Sequence, residues 1–137
     1  MRVLIVDDQK QVREGLVTLL RLASGRSGTQ IDVIGEAKTG SEAIQQARSL
    51  HPDVILMDLE MPVMDGYEAT RQIKTEQPTA RVVILSVHAG PEEQQHARAA
   101  GADAFITKGA SYQNLLDAIL GRDGSLHPYD LKKGEKT

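Results

Sequence analysis

Five short apolar runs alternate with segments of helical periodicity along this chain, and no other feature constrains the fold as strongly. The runs, each of strand length, are residues 2–6 (RVLIV), 31–37 (IDVIGEA), 53–58 (DVILMD), 81–86 (RVVILS) and 104–108 (AFITK). Between them apolar residues recur at helical spacing, beginning with Val12, Leu16, Leu19 and Leu20. This alternation predicts an α/β fold, a doubly wound parallel sheet of five strands with helices on both faces.

Capping residues mark several of the predicted helix boundaries. Thr39 followed by Glu42 has the spacing of a capping box. Ser111 precedes the last helical segment and Gly121 follows it. The buried face of that helix is predicted to consist of Tyr112, Leu115, Leu116 and Ile119. Residues 1–121 are therefore predicted to form one domain, and residues 122–137 a polar tail that we expect to be flexible.

Composition excludes several classes of protein. The chain of 137 residues has no cysteine, which rules out disulfides, thiolate metal sites and a cysteine nucleophile. With a net charge of −3, the chain lacks the excess of basic residues that is typical of nucleic-acid-binding proteins, so we expect no direct contact with nucleic acid. The N-terminus does not resemble a signal peptide, and no apolar stretch approaches the ~18 residues of a membrane span. We therefore expect a cytoplasmic protein with no membrane contact.

Polar side chains with reactive groups stand at the ends of four of the five predicted strands. Asp7 and Asp8 follow the first strand, and Asp58, Ser86 and Lys108 end the third, fourth and fifth. The carboxyl ends of parallel strands share one edge of the sheet, where such folds bind ligands, so these five groups are predicted to lie together. Taken alone, the acid pair would suit a helix cap and the lysine a solvated surface, but their shared edge favours a functional site.

Three carboxylates at one edge require a compensating charge. Two unit charges about 4 Å apart repel by roughly 4 kcal/mol at an effective dielectric constant near 20. A hard divalent cation offsets this repulsion, and a site made only of oxygen ligands selects Mg²⁺, Ca²⁺ or Mn²⁺ over Zn²⁺. We predict a Mg²⁺ site between the acid pair and Asp58, in which Mn²⁺ would substitute.

A carboxylate beside a metal, a lysine and a hydroxyl is typical of a phosphoryl-transfer site. Asp58 would be the nucleophile, since aspartate carboxylates form aspartyl phosphates in known enzymes. The metal and Lys108 would neutralise charge on the transferring group. Ser86 would donate a hydrogen bond to the same group.

Four stretches of the chain resemble the receiver domain of two-component response regulators, in particular those of the NarL type. They are LIVDDQ from Leu4, PDVILMDLEMPVMDGYEA from Pro52, VVILS from Val82 and FITKGAS from Phe105. The resemblance covers about residues 2–121 and implies the flavodoxin-like strand order 2-1-3-4-5. It further implies a phosphoacceptor signalling domain rather than a conventional enzyme. A histidine kinase or a phosphotransfer protein would phosphorylate Asp58 and so switch a surface that binds an output protein the sequence does not identify.

The resemblance also assigns the metal ligands and the loop that follows them. Asp8 and Asp58 would bind Mg²⁺ directly, Asp7 mainly through water, and Glu60 through its backbone carbonyl. The loop after the phosphorylated strand would be shaped by Pro62 and Gly66.

Five residues would act on the phosphoryl group or respond to it, again by resemblance. Ser86 would turn toward the group, Lys108 would contact it, and Phe105 occupies the position of the aromatic switch residue. Glu60 and His88 would flank the path of the attacking water, and we predict that they tune the lifetime of the phosphorylated form.

Two departures from the family pattern affect these expectations. Phe105 stands where a tyrosine is common, so a switching hydrogen bond from a phenol hydroxyl is lost. NarL-type regulators continue into a helix-turn-helix domain, whereas this chain stops at Thr137. Either the protein is a lone receiver, which we expect, or a longer chain was trimmed. A homodimer formed on phosphorylation is a further expectation.

Two other functions stay open at this point. A phosphorylation-independent binding module of the same fold would be free to lose some of the five polar groups, and all of them are present. A small phosphatase of the haloacid-dehalogenase type would carry its nucleophile after the first strand in a D-x-D pattern, whereas Asp7 and Asp8 are adjacent.

Overall fold

Ten elements alternate strictly between strand and helix in a computed structural model of the chain, which describes residues 1–26, 28–61, 63–88 and 90–122. The strands are β1 (Arg2–Val6), β2 (Asp32–Ala37), β3 (Val54–Asp58), β4 (Arg81–Ser86) and β5 (Ala104–Thr107). The helices are α1 (Lys10–Ala23), α2 (Gly40–Leu50), α3 (Gly66–Glu76), α4 (Pro91–Ala100) and α5 (Tyr112–Leu120). The expected role of Pro62 and the expected tail beyond Arg122 fall outside the described residues.

The strands form one parallel sheet in the order β2-β1-β3-β4-β5, which confirms the expected topology. β1 pairs with β2 on one side and with β3 on the other. The chain therefore reverses its direction of winding between β1 and β3, and this position is the topological switch point where α/β sheets bind ligands. The carboxyl ends of β1 and β3 are the ends that carry the predicted acids.

Two apolar cores lie on opposite faces of the sheet. Successive strand residues point to opposite faces, so Leu4 and Val6 pack beneath α2, α3 and α4, while Val3 and Ile5 pack against α1 and α5. All four side chains are at most 1% exposed. Burial on both faces explains why β1 and β3 are continuous apolar runs rather than alternating ones.

The predicted caps are confirmed, and one predicted core residue is wrong. The Thr39 hydroxyl accepts a hydrogen bond from the Glu42 amide, Ser111 caps α5 in the same way, and Gly121 ends it with a φ of 74°. Tyr112 is not part of the buried face of α5, because its side chain is 38% exposed. Side chains tilt toward the N-terminus of a helix, so that of its first residue points past the helix end.

No helix in the described part of the chain combines the length and the apolar character needed to cross a bilayer.

Candidate functional site

Three carboxylates meet at the carboxyl edge of the sheet, at the switch point. Asp7 directly follows β1, Asp8 is its neighbour, and Asp58 is the last residue of β3. One carboxylate oxygen from each of the three lies within 4.8 Å of the others. Asp7 and Asp58 are each 1% exposed, whereas Asp8 is exposed to solvent. The sequence-based prediction that these residues lie together is in accord with this geometry.

Lys108 supplies the positive charge nearest to the acids. It follows β5, and its backbone N–H donates to the Ser86 carbonyl at 2.8 Å. This hydrogen bond fixes the backbone position from which the lysine side chain extends. Its Nζ lies 2.8 Å from Asp58 Oδ1 and 3.1 Å from Asp7 Oδ2. One ammonium group faces three carboxylates, so the cluster retains a negative charge.

Burial and charge perturb the protonation of this cluster. Burial raises the pKa of the Asp58 carboxyl to about 6; the hydrogen bond from Lys108 opposes this, and the charge of Asp7 adds to it. Burial lowers the pKa of the Lys108 ammonium, but its hydrogen bonds and attraction to Asp58 and Asp7 outweigh that effect, so the net shift is upward. The carboxylate of Asp58 is therefore held ionised at neutral pH against a desolvation cost.

The donor set fits a hard divalent cation. All three candidate ligands offer carboxylate oxygens, the ligands preferred by Mg²⁺ and Mn²⁺. Asp58 Oδ2 is buried and has no hydrogen-bond partner among the described residues, an arrangement that costs about 1–3 kcal/mol when it persists. A cation bound between the acids would satisfy this oxygen and reduce the repulsion among the carboxylates.

Ser86 ends β4 beside this cluster, and its hydroxyl already has two partners. Its Oγ donates to Glu60 Oε1 at 2.6 Å and accepts from the His88 backbone N–H at 3.0 Å. Ser86 has no exposed surface, whereas Glu60 and His88 are exposed. The backbone N–H of Glu60 also lies 3.4 Å from Asp58 Oδ1.

Phe105 lies away from the carboxylates. It pairs with Ile84 in the β4–β5 ladder and is partly buried against the core beneath α2, α3 and α4. The structure thus brings Asp58 and Lys108 into direct contact and places Ser86 next to Glu60. Phe105 lies in β5, two strands from the end of β3 that carries Asp58, and on the α4 side of the sheet.

Arg13 is a site residue that the sequence reasoning missed. It belongs to α1, and its side chain is buried. Its Nη1 donates to the Asp7 carbonyl at 2.8 Å, and its Nε donates to Glu36 Oε1 at 3.1 Å. It therefore anchors the turn that carries the acid pair. A signal was available, because Arg13 stands at helical spacing from Leu16 and Leu20, so a charged residue interrupts an otherwise apolar face.

Gly66 allows α3 to begin directly against the end of β3. A Cβ at this position would collide with the backbone oxygen of Asp58, and the Gly66 N–H donates to the Leu59 carbonyl at 3.2 Å. Glycine is required here by close backbone approach rather than by an unusual dihedral angle.

The comparison with protein families decides the identity of the domain. A family model described as the response regulator receiver domain matches residues 3–120. The chain belongs to the response regulator receiver family. This receiver is a phosphoacceptor domain of two-component phosphorelay signalling and not a conventional enzyme.

Individual relatives of this receiver support the assignment. It is 42% identical over 119 residues to the response regulator protein VraR of Staphylococcus saprophyticus, an overlap of 87% of this chain and 54% of that protein. The chain thus spans about half the length of the curated relatives it matches.

Two solved structures share the fold of this receiver. A LuxR-family response regulator from Aurantimonas is 36% identical with a TM-score of 0.78, covering 88% of this chain and 82% of that one. The signal receiver domain of the response regulator NarL from Mycobacterium tuberculosis is 33% identical with the same TM-score, covering 88% and 93%.

Proposed function

We propose that Asp58 is the residue that accepts the phosphoryl group. One observation carries this proposal: Asp58 is a buried carboxylate with one oxygen bound by Lys108 and the other without a hydrogen-bond partner among the described residues. In the transfer, a carboxylate oxygen of Asp58 attacks phosphorus in a phosphohistidine, a P–O bond forms and the P–N bond breaks. The departing imidazole nitrogen takes up a proton. Lys108 is placed to pair with an oxygen of the transferring group.

We propose Mg²⁺ as the cation, with Mn²⁺ as a substitute, held by the carboxylates of Asp8 and Asp58, by Asp7 mainly through water, and by the backbone carbonyl of Glu60. When bound, the ion neutralises charge on the oxygens of the transferring group. The contact of Arg13 with the Asp7 carbonyl anchors the turn after β1 that carries the acid pair.

Phosphorylation would act on this receiver by shifting a population between two conformations. A change from 1:99 to 99:1 requires about 5.5 kcal/mol of differential stabilisation. A hydrogen bond from Ser86 to a charged group contributes roughly 1.5–3 kcal/mol, so it cannot complete the change alone. Pairing of Lys108 with the phosphoryl group and repacking of Phe105 are proposed to supply the rest, together with the partner's preference for one conformation.

The face formed by α4, β5 and α5 is the proposed output surface. α4 buries only Ala97 and Ala100, and its first turn is attached to α3 through a hydrogen bond from the Tyr67 hydroxyl to the Glu93 carbonyl at 3.0 Å. An element held by so few apolar contacts can move at low cost. An amide-exchange comparison with and without beryllofluoride would show faster or slower exchange concentrated in α4 if this is correct.

Glu60 and His88 are proposed to set the lifetime of phospho-Asp58, because both are exposed beside the carboxylate and beside Ser86. Hydrolysis requires water to attack phosphorus while the P–O bond to Asp58 breaks. Substitution of either side chain should alter the dephosphorylation rate by more than twofold. This rate is measured as the loss of the phosphoryl group over time in intact mass spectra.

We propose the following partners for the whole protein. They are a histidine kinase or a phosphotransfer protein as donor and an output protein that the site does not identify. We also propose a homodimer formed on phosphorylation, no direct binding of nucleic acid by residues 1–137, no membrane contact and a cytoplasmic location.

Incubation with acetyl phosphate tests the proposed function directly. The parent protein should gain one phosphoryl group per chain in the presence of MgCl₂ and none in the presence of a chelator, as measured by intact mass. Sustained release of phosphate beyond one equivalent would instead indicate the phosphatase. Absence of labelling at any concentration of Mg²⁺ would indicate the phosphorylation-independent binding module.

A further inference from the structure

The hydroxyl group of Ser86 is engaged in a short hydrogen bond before any phosphoryl group is present. Its Oγ donates to Glu60 Oε1 at 2.6 Å, within the range of charge-assisted O–H···O⁻ bonds. The same Oγ accepts from the His88 N–H at 3.0 Å, and Ser86 has no exposed surface. The hydroxyl is therefore held in one orientation by two partners.

The chemistry of a hydroxyl makes this contact exclusive. A serine hydroxyl has a single proton to donate, so it cannot donate to the Glu60 carboxylate and to a phosphoryl oxygen at the same time. Glu60 is also close to the phosphoacceptor, because its N–H lies 3.4 Å from Asp58 Oδ1. The Glu60 carboxylate and a phosphoryl group on Asp58 would therefore both be candidate acceptors for this one proton.

We propose that the carboxylate of Glu60 competes with the phosphoryl group for the Ser86 hydroxyl and so stabilises the resting conformation of the receiver. This inference rests on the proposed function, in which Ser86 turns toward phospho-Asp58. It assigns the side chain of Glu60 a role separate from that of its backbone carbonyl and from any effect on hydrolysis. Phosphorylation replaces one anion by another as the partner of the hydroxyl, so the net gain from this hydrogen bond is smaller than its gross strength.

Removal of the Glu60 charge would assist an incoming anion even without this competition, simply by reducing repulsion. A double-mutant cycle separates the two effects. Repulsion between Glu60 and the bound anion is the same whether residue 86 carries a hydroxyl or not. Competition for the hydroxyl exists only when Ser86 is present.

The test measures the dissociation constant of beryllofluoride, in the presence of Mg²⁺, for four proteins: the parent, Glu60→Ala, Ser86→Ala and the double variant. We expect Glu60→Ala to tighten binding in the serine background by about tenfold more than in the alanine background, as loss of a charge-assisted hydrogen bond predicts. A ratio of the two effects within twofold of unity would overturn the inference. Glu14→Ala, which removes an exposed carboxylate from α1, outside the proposed output surface, is the control and should show equal effects in both backgrounds.

A second measurement needs neither metal nor beryllofluoride. The χ1 angle of Ser86, obtained from Hα–Hβ scalar couplings, should occupy one rotamer in the free parent and populate a second one in free Glu60→Ala, where the His88 N–H alone holds the oxygen. An unchanged rotamer would overturn the inference even if the proposed function holds. Failure of the parent to bind beryllofluoride at all would instead refute the proposed function, and the rotamer would still report on the Ser86–Glu60 hydrogen bond.

Discussion

Two lysine–aspartate pairs lie at opposite edges of the same sheet, and they are built differently. At the amino edge, Lys74 Nζ lies 2.9 Å from Asp103 Oδ2 and also donates to the carbonyls of Pro78 and Ala80. The same Asp103 oxygen accepts from the Val82 N–H at 2.8 Å. All three protons of the ammonium have acceptors, so this pair joins α3, β4 and β5 as a closed structural connection.

At the carboxyl edge the corresponding pair is open. Lys108 is shared between Asp58 and Asp7, Asp8 adds a third carboxylate, and Asp58 Oδ2 has no partner among the described residues. The residue types are the same at both edges, so the difference lies in the ratio of anions to cations. A closed pair stabilises the fold, whereas the open cluster offers oxygen ligands for a further cation, and we propose that it also accepts the phosphoryl group.

The two pairs should differ most in their reaction with a phosphoryl donor. Asp58→Asn should reduce labelling by acetyl phosphate at least about a hundredfold, because the amide oxygen is a poor nucleophile. Asp103→Asn removes the other lysine-paired carboxylate and should label within twofold of the parent. Both rates are measured by intact mass under the same concentration of Mg²⁺. Full labelling of Asp58→Asn would refute the assignment of the phosphoacceptor.

Magnesium should stabilise the folded protein through the open cluster and not through the closed pair. At a Mg²⁺ concentration 100 times its dissociation constant, the free energy of unfolding of the parent should rise by about 2.7 kcal/mol. Asp103→Asn should gain as much as the parent. Asp8→Asn should gain about 1.4 kcal/mol less at the same concentration if one lost ligand weakens binding tenfold. Urea unfolding with and without MgCl₂, at matched ionic strength, measures all three; an equal gain in Asp8→Asn would exclude Asp8 as a ligand.

Without metal, the same substitution should have opposite effects on stability at the two edges. Asp103→Asn should lower the free energy of unfolding by about 1 kcal/mol, because two hydrogen bonds to a charged acceptor become neutral ones. Asp58→Asn should raise it by about 1 kcal/mol at pH 7.5, because it removes a buried charge that Lys108 compensates only in part. Urea unfolding in chelator measures both, and a loss of stability in Asp58→Asn would show that the carboxyl edge is closed as well.

The advantage of Asp58→Asn over the parent should depend on pH. The pKa of Asp58 is raised from 3.8 to about 6 in the folded protein. A carboxyl shifted in this direction contributes stability that is fully present below pH 3.8 and is lost as the pH rises through 6. The difference between the two proteins should therefore grow from about pH 4 to about pH 6 and stay constant above about pH 7. Chelator is present throughout, and a difference independent of pH would contradict the assignment of the shift to Asp58.

The contrast between the two edges also shows what the sequence could predict. The alternation of apolar runs does not give the strand order, which only the resemblance implied. It was enough to place Asp58 and Lys108 at one edge, because the carboxyl ends of parallel strands lie together. Tyr112 was misassigned since periodicity does not report how far a helix end extends past the sheet. The contacts of Arg13 and the bond from Ser86 to Glu60 depend on side-chain rotamers and loop paths, which no periodic pattern encodes.

The smallest expected effect concerns two backbone positions, again one at each edge. Among the described residues, Val63 in the β3–α3 loop and His51 at the end of α2 are the non-glycine residues with positive φ, 69° and 48°. Histidine is relatively common in this region of dihedral space, whereas a β-branched valine is strained there. Val63 is fully exposed and loses no packing on truncation.

Val63→Gly should therefore raise the free energy of unfolding by about 0.5 kcal/mol, the relief of left-handed strain less the entropy that glycine adds to the unfolded chain. His51→Gly should change stability less, because histidine is strained less at its position. The two hydrogen bonds of the residue 51 backbone, to the Ala47 carbonyl and from the Arg2 side chain, are also kept. Paired urea titrations in chelator compare the two variants with the parent. A loss of stability in Val63→Gly would mean that the loop beside Asp58 carries no strain, and the distinction between a relaxed amino edge and a strained carboxyl edge would then rest on charge alone.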